Sequence, residues 1–272
     1  MFSILMSVYR NDSCEYFSTA LDSLFNQTLL PAQIVLVCDG PIPQEHESII
    51  SRWSEAFCKK NVIFDLVRLK KNVGLGAALK EGSLYCNHDY IIRMDSDDIS
   101  VPNRLELTYQ AITENPDAAV IGGQIEEFNF IIGDLGRKRL VPLDSVGIAK
   151  FGKTRNPMNH VTVCINKEYL NVVGGYESVL YHEDYFLWVK FITSGQKLVN
   201  IPDTLVMVRA GNDLIGRRIG SHYFSLEVDF VKKCQSVNYF NRLDSLRYLL
   251  PRLFLRHLPK NMLNRFYGSL RS

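Results

Sequence analysis

Asp95, Ser96, Asp97 and Asp98 put three carboxylates into four consecutive residues. Like charges this close repel one another, and a loop that gathers them where a strand ends usually has a cation to hold. The apolar run Tyr90-Ile91-Ile92 precedes the acids and a helix-like stretch starts near Pro102, which puts the tetrad just beyond a strand. Carboxylate donors select hard Mg²⁺ or Mn²⁺ over zinc, and such ions keep one or two protein carboxylates and take substrate phosphates as further ligands. The chemistry expected is a metal-assisted phosphate site for a nucleoside diphosphate, with Asp97 and Asp95 as the metal ligands.

The elements that must position these acids follow from periodicity. Strand-like runs at Phe2 to Val8, Ile34 to Val37, Val62 to Leu69, Tyr90 to Met94 and Ala118 to Ile121 alternate with helix-period stretches. The helices are expected at Glu15 to Gln27, around Ile49 to Phe57, at Gly76 to Cys86, and from Pro102 to before Pro116. Such alternation predicts an α/β fold with a mainly parallel, Rossmann-like sheet flanked by helices. Ligands in these sheets bind beyond the carboxyl ends of the strands. Ser7, Tyr9 and Arg10 end the first strand, Asp39 the second, and Asp95 and Asp97 the fourth, so three strands deliver polar groups to one edge. From about residue 135 the pattern loosens, with a helix at Glu183 to Thr193 and a strand at Thr204 to Val208. The domain reading is 1–215 catalytic, divided into 1–116 for the nucleotide and 117–215 as an acceptor-side lobe, then 216–272 as a helical basic extension interrupted at Pro251 and Pro259.

Composition narrows the classes. In 272 residues, 46% apolar and 22% charged, a sizeable soluble core is available and disorder is not indicated. A formal net charge of +2, without aromatics interleaved along a basic stripe, argues against nucleic acid as a partner. The six cysteines are scattered without a C-x-x-C pair, which excludes a zinc framework or disulfide scaffold and suits a reducing cytoplasm. No apolar run approaches the ~18 residues of a membrane span, and the first residues lack the basic region of a secretory signal.

Eight ordered motifs then resemble a known family: Ser7-Val8-Tyr9-Arg10; Gln27-Thr28 with Pro31; Val37-Cys38-Asp39-Gly40; Asn72-Val73-Gly74-Leu75-Gly76; Arg93-Met94-Asp95-Ser96-Asp97-Asp98; Pro102 with Arg104; Gly174-Gly175-Tyr176; and Glu183-Asp184 before Leu187-Trp188. In this order they are similar to the inverting family 2 glycosyltransferases of bacterial polysaccharide and lipopolysaccharide assembly, which have the GT-A fold. The resemblance spans Ser3 to about Arg209. It implies that Asp39 accepts the uracil N3–H, with Ser7, Tyr9, Arg10, Asn72, Gly74 and Arg93 near the nucleotide sugar. Asp95 resembles the ribose or sugar contact and Asp97 the Mn²⁺ or Mg²⁺ ligand that bridges to the two phosphates. Asp98 has two readings, a metal contact or a partner for Arg104. Asp184, with Glu183 next, resembles the general base.

Plainer readings stand beside these. Asp-Gly-Pro at Asp39 is a good turn sequence, the Asn72 to Gly76 run suits any strand-to-helix turn, and acids favour the positive end of a helix dipole at Glu183-Asp184. His160 is either an acceptor-side contact or a loop histidine; Arg209 and His222 match basic groups near the pyrophosphate. Trp188, Tyr185 and Tyr181 are sugar-stacking candidates on a helix whose aromatics also suit a core. Cys38 stands where many relatives have Asp, and Gly40-Pro41 where Gly-Ser is frequent.

The resemblance implies transfer of a hexose from a UDP-sugar, or a dTDP-sugar such as dTDP-rhamnose, to a lipid-linked saccharide. Seven basic residues among large apolar ones between Arg242 and Ser272, against the single acid Asp244, have two readings: a helix lying on an anionic membrane surface, which is taken as a partner, or a terminal helix packed on the catalytic lobe with a solvated basic face. The expected location is the cytoplasm, peripheral on the inner face of the bacterial inner membrane. Two rivals are weighed: a phosphatase or nucleotidyltransferase, whose diagnostic segment would follow the first strand, and a non-catalytic sugar-nucleotide-binding partner of a membrane enzyme.

Overall fold

The computed structural model describes residues 1–210 and 220–256. Four parallel strands form the nucleotide half: β1 (Phe2–Val8), β2 (Gln33–Cys38), β3 (Ile63–Arg68) and β4 (Tyr90–Met94), in the spatial order β3-β2-β1-β4. They are connected by α1 (Cys14–Phe25), α2 (Gln44–Lys59) and α3 (Leu75–Ser83). Both faces of this sheet are covered: Ile4, Met6 and Val8 pack with Phe17, Leu21 and Leu24 of α1, whereas Leu5 packs with Ala78 and Leu79 of α3. The alternation along β1 is the period of 2 that sends neighbouring side chains to opposite faces.

The sheet continues across residue 116 without a break. Beyond β5 (Ile99–Ser100) and α4 (Arg104–Glu114), β6 (Ala118–Phe128) joins through β8 (Cys164–Asn166), which lies antiparallel to both β4 and β6. β9 (Lys197–Arg209) then pairs parallel to β6, β5 closes that edge, and β7 (Arg137–Arg139) pairs with β6. The sheet is mixed and, among the described residues, nine-stranded. The remaining helices are α5 (Ser145–Phe151), α6 (Lys167–Val172), α7 (Glu183–Thr193), α8 (Ser221–Ser236) and α9 (Arg242–Leu255).

β6 starts where expected, at Ala118, and runs on through Gly122-Gly123 to Phe128; a Cβ on Gly123 would sit 2.6 Å from the Leu205 side chain of the adjacent strand. Two boundaries differ from the sequence expectation, each for a local reason. β9 begins seven residues before Thr204, at Lys197, and carries Pro202 where its register with β6 slips between the Gly122–Asn200 and Gln124–Thr204 pairs; a bulge is where a strand tolerates proline. Pro251 does not interrupt the C-terminal helix but lies inside α9, one turn from its end. Pro259 lies outside the described residues. Among those that are described, no helix is long and apolar enough to cross a membrane.

Candidate active site

Register fixes the edge on which the polar residues meet. Met6 pairs with both Leu36 and Met94, and Val8 pairs with Cys38, so Tyr9 and Asp39 leave their strands at one level and Asp95 leaves its strand level with Ser7, at the same end of the sheet. Past Met94 the chain bends at Ser96 and Asp97, and burial alternates along it: Asp95 and Asp97 are partly exposed, Ser96 and Asp98 buried. That alternation settles Asp98. Its carboxylate accepts the Arg209 backbone N–H at 2.9 Å, and burial, then Asp95 and Asp97, raise its pKa well above the carboxylate range. Arg104 has other partners: it donates to the carbonyls of Arg93 and Val161, both at 2.7 Å, and to the Ser100 hydroxyl. Asp98 is therefore an anchor for the end of β9.

The outward pair has the electrostatics of a cation site. Asp97 is pushed up to about 6, first by burial and then by the charges of Asp95 and Asp12. Asp12 was missed at sequence level because nothing about an acid in the β1–α1 loop marks it. Its carboxylate accepts from the Ser96 hydroxyl at 2.8 Å and the Tyr9 backbone N–H at 3.1 Å, which ties the end of β1 to the acidic loop. Among the described residues no three His, Cys, Asp or Glu side chains converge as a full metal cage. Hard oxygen donors and an anion destabilised by its neighbours fit a dication whose other ligands come from phosphate and water.

Arg93 is a correction. Its guanidinium is 2% exposed and ion-paired to Asp95, so it orients that carboxylate from beneath instead of meeting a substrate. Below it lies an aromatic layer: Tyr176 hydrogen-bonds His160 Nε2 at 2.8 Å, and the His160 ring meets the edge of Trp188. Burial beside Arg93 holds the His160 imidazole well below its ordinary value, hence neutral and inward-facing. Trp188 is also corrected: α7 is buried from Tyr185 through Phe191, a helix apolar on all sides is a core helix, and Trp188 at 0% exposure has no face left for a sugar. Tyr185 is likewise buried, donating to the Gly152 carbonyl at 2.8 Å. Tyr181 remains exposed and packs on Tyr223.

Asp39 does what its turn reading requires. Its two oxygens accept the Val73 and Gly74 N–H groups at 2.7 and 3.0 Å, and Asn72 reaches back to the Asp39 carbonyl. Gly40, at φ +86°, allows this close pass, since a Cβ there would lie 2.6 Å from the Asn72 nitrogen. Cys38 faces the core at 1% exposure, its thiol pushed up to about 11 by burial. Ser7 and Tyr9 are partly buried at the edge and Arg10 is exposed.

Against the first turn of α3 stands the first turn of α7. Asp184 accepts from Asn156 Nδ2 at 2.6 Å and from the Tyr185 N–H at 2.7 Å. Burial raises the pKa of Glu183, and its side chain lies over Gly76, where a Cβ would meet the Glu183 Cγ at 2.6 Å. Asn156 and Tyr176 are further residues that sequence reading missed as positioning groups. Tyr176 packs on His160, and burial raises its pKa against the opposing charge of Arg93. Arg209, clamped between Tyr16 and Phe128 with its Nε donating to the Asp97 carbonyl, borders the acidic loop. His222 is exposed at the start of α8.

The chain has extensive relatives. It is 35% identical over 269 residues to the UDP-Gal:alpha-D-GlcNAc-diphosphoundecaprenol beta-1,3-galactosyltransferase of Escherichia coli, covering 99% of this chain and 96% of that protein. It is 34% identical over 269 residues to the amylovoran biosynthesis glycosyltransferase AmsE of Erwinia amylovora, covering 98% of each. The mannosyltransferase PcManGT of Pyrobaculum calidifontis, solved with GDP-Man and Mn²⁺, shares the fold with a TM-score of 0.63 at 14% identity, over 99% of this chain and 79% of that one. The sequence profile of Glycosyl transferase family 2 matches residues 3–166, and the chain belongs to that glycosyltransferase family.

Proposed function

We propose that this glycosyltransferase moves a hexose from a UDP-sugar onto a lipid-linked saccharide, with inversion, during assembly of a bacterial surface polysaccharide. The E. coli relative's name gives a UDP-Gal donor and a diphosphoundecaprenol-linked acceptor, and the Erwinia relative's name gives polysaccharide biosynthesis. The observation that carries the reading is the contact of Glu183 with Gly76, which sets the first turn of α7 against the turn that Asp39 anchors. It supports one cleft with the phosphate-side acids on one bank and a base on the other. In this reading residues 1–116 bind the nucleotide, 117–215 form the acceptor side, and 216–272 bring the enzyme to the cytoplasmic face of an anionic membrane.

In the reaction proposed here, Asp184 takes the proton of the acceptor hydroxyl as that oxygen bonds to the anomeric carbon. The bond from that carbon to the diphosphate breaks on the opposite face, through an oxocarbenium-like transition state, and one displacement inverts the configuration. Asn156 holds the Asp184 carboxylate toward the acceptor, and the helix of which Glu183 is the first residue carries both acids into the cleft. Asp97 and Asp95 would hold Mn²⁺ or Mg²⁺, which when bound neutralises charge on the departing nucleoside diphosphate. Asp39 sets the Val73-Gly74 turn, and its remaining lone pairs suit the imide N–H of a uracil.

A thermal-shift panel of UDP- and dTDP-sugars with Mn²⁺, followed by transfer to membrane-extracted acceptor, tests this reading. Stabilisation by a UDP-hexose that is lost on chelation, with product formed, is the expected result. No stabilisation by any nucleotide sugar would overturn it.

A further inference from the structure

α9 has two opposed faces, and among the described residues only one of them is packed on the protein. On the inner face Tyr248 is 1% exposed, and Arg256 pairs with the buried Glu227 at 2.6 Å. Arg252 covers the Tyr248 ring and donates to the Thr154 carbonyl at 2.7 Å, and an Asn241–Asp244 capping box fixes the helix start. With that face clamped, the outer one is displayed. It carries Leu243, Leu246, Leu250 and Phe254, of which Leu246 is 57% and Phe254 66% exposed. Their spacing of three, four and four residues is that of one helix face.

The charges beside this stripe choose its occupant. Arg242 and Arg247, both exposed, border it on its two sides, and Arg247 continues into a groove of about 580 Å³ against α5, where Lys150 and Lys153 join it against the one carboxylate, Asp244. Lys153 is already tied to Asp244 and to the Tyr239 carbonyl, which leaves Lys150 and Arg247 as the outward cations. A second copy laid on this stripe would bring arginines against arginines. An anionic bilayer takes the leucines into its acyl boundary and sets the arginines among headgroups.

We infer that the outer face of α9 lies on an anionic lipid surface. The inference deepens the proposed function, on whose lipid-linked acceptor it rests. Arg252 of α9 donates to the Thr154 carbonyl, two residues before Asn156, the partner of Asp184, so α9 braces the loop that holds the base candidate.

Sedimentation of the full chain with vesicles tests this, using phosphatidylcholine alone and phosphatidylcholine mixed with phosphatidylglycerol. Wild type is expected on the mixed vesicles only. The double variant Leu246→Gln/Leu250→Gln should weaken that binding roughly tenfold or more, and Arg247→Glu should remove the preference for phosphatidylglycerol. Both should keep wild-type thermal stability and wild-type stabilisation by UDP with Mn²⁺. Variants that sediment like wild type would overturn the inference, as would a wild-type dimer in analytical ultracentrifugation that the leucine variant dissociates. Loss of nucleotide binding in wild type itself would strike the proposed function and leave the vesicle result standing.

Discussion

The side chain of Glu183 rests on Gly76, so the first turn of the helix carrying the base candidate touches the first turn of the helix beyond the Asp39-anchored loop. A methyl group at Gly76 would lie 2.6 Å from the Glu183 Cγ, and the two banks of the cleft would have to separate. Gly76→Ala should cost about 1–3 kcal/mol of stability by overpacking and lower turnover. A double-mutant cycle with Glu183→Ala by urea denaturation should give a coupling above about 0.5 kcal/mol; additive losses would show that the contact does not join the banks.

Asp39 accepts two backbone N–H groups through two oxygens. Asn supplies one acceptor oxygen, so Asp39→Asn strands one of these part-buried donors. The expected loss is about 0.5–1.5 kcal/mol in chemical denaturation, together with weaker UDP binding in calorimetry. An Asn variant with wild-type stability would contradict the role of this carboxylate in the turn.

Asn156 holds Asp184 but sits on the loop after α5. Asn156→Ala should therefore lower kcat by roughly tenfold to a hundredfold while leaving the KM for the nucleotide sugar near wild type, since misplacing a group by about 1 Å has costs of that order. A raised KM with unchanged kcat would move Asn156 to the donor side.

Much of this was legible in the sequence. The strands at Phe2–Val8 and Tyr90–Met94 and the helix at Glu183–Thr193 fall where their patterns put them, because short β-branched runs with polar ends and a Gly-bounded apolar helix are decided locally. The full length of β9 was not, since its part before Thr204 is accommodated beside β6 only by a register slip around Pro202 that pairing, not local pattern, decides. Asp12 and Asn156 escaped notice for a related reason: a lone acid or amide in a loop gains its meaning from Ser96 or Asp184, each distant in the chain. Trp188 misled in the other direction, because aromatic spacing cannot tell a stacking face from a helix buried all round.

Asp97 gives a pH signature. With its folded pKa raised from 3.8 to about 6, the folded metal-free protein binds a proton there that the unfolded chain releases, so this group's contribution is present below the unfolded pKa and lost as pH rises through the folded one. Metal-free stability should fall across this window, and Asp97→Asn should flatten the fall. Mn²⁺ must displace that proton, so its affinity should weaken as pH drops below about 6. Thermal melts in chelator across pH, with Mn²⁺ titrations alongside, measure both.

The most direct test of the account is Asp184→Asn, assayed for transfer from the UDP-hexose to lipid-linked acceptor with UDP affinity measured in parallel. Removing a general base predicts a fall in kcat of about 10²–10⁴-fold, with UDP affinity unchanged. Transfer at near wild-type rates, or loss of UDP binding together with transfer, would contradict it.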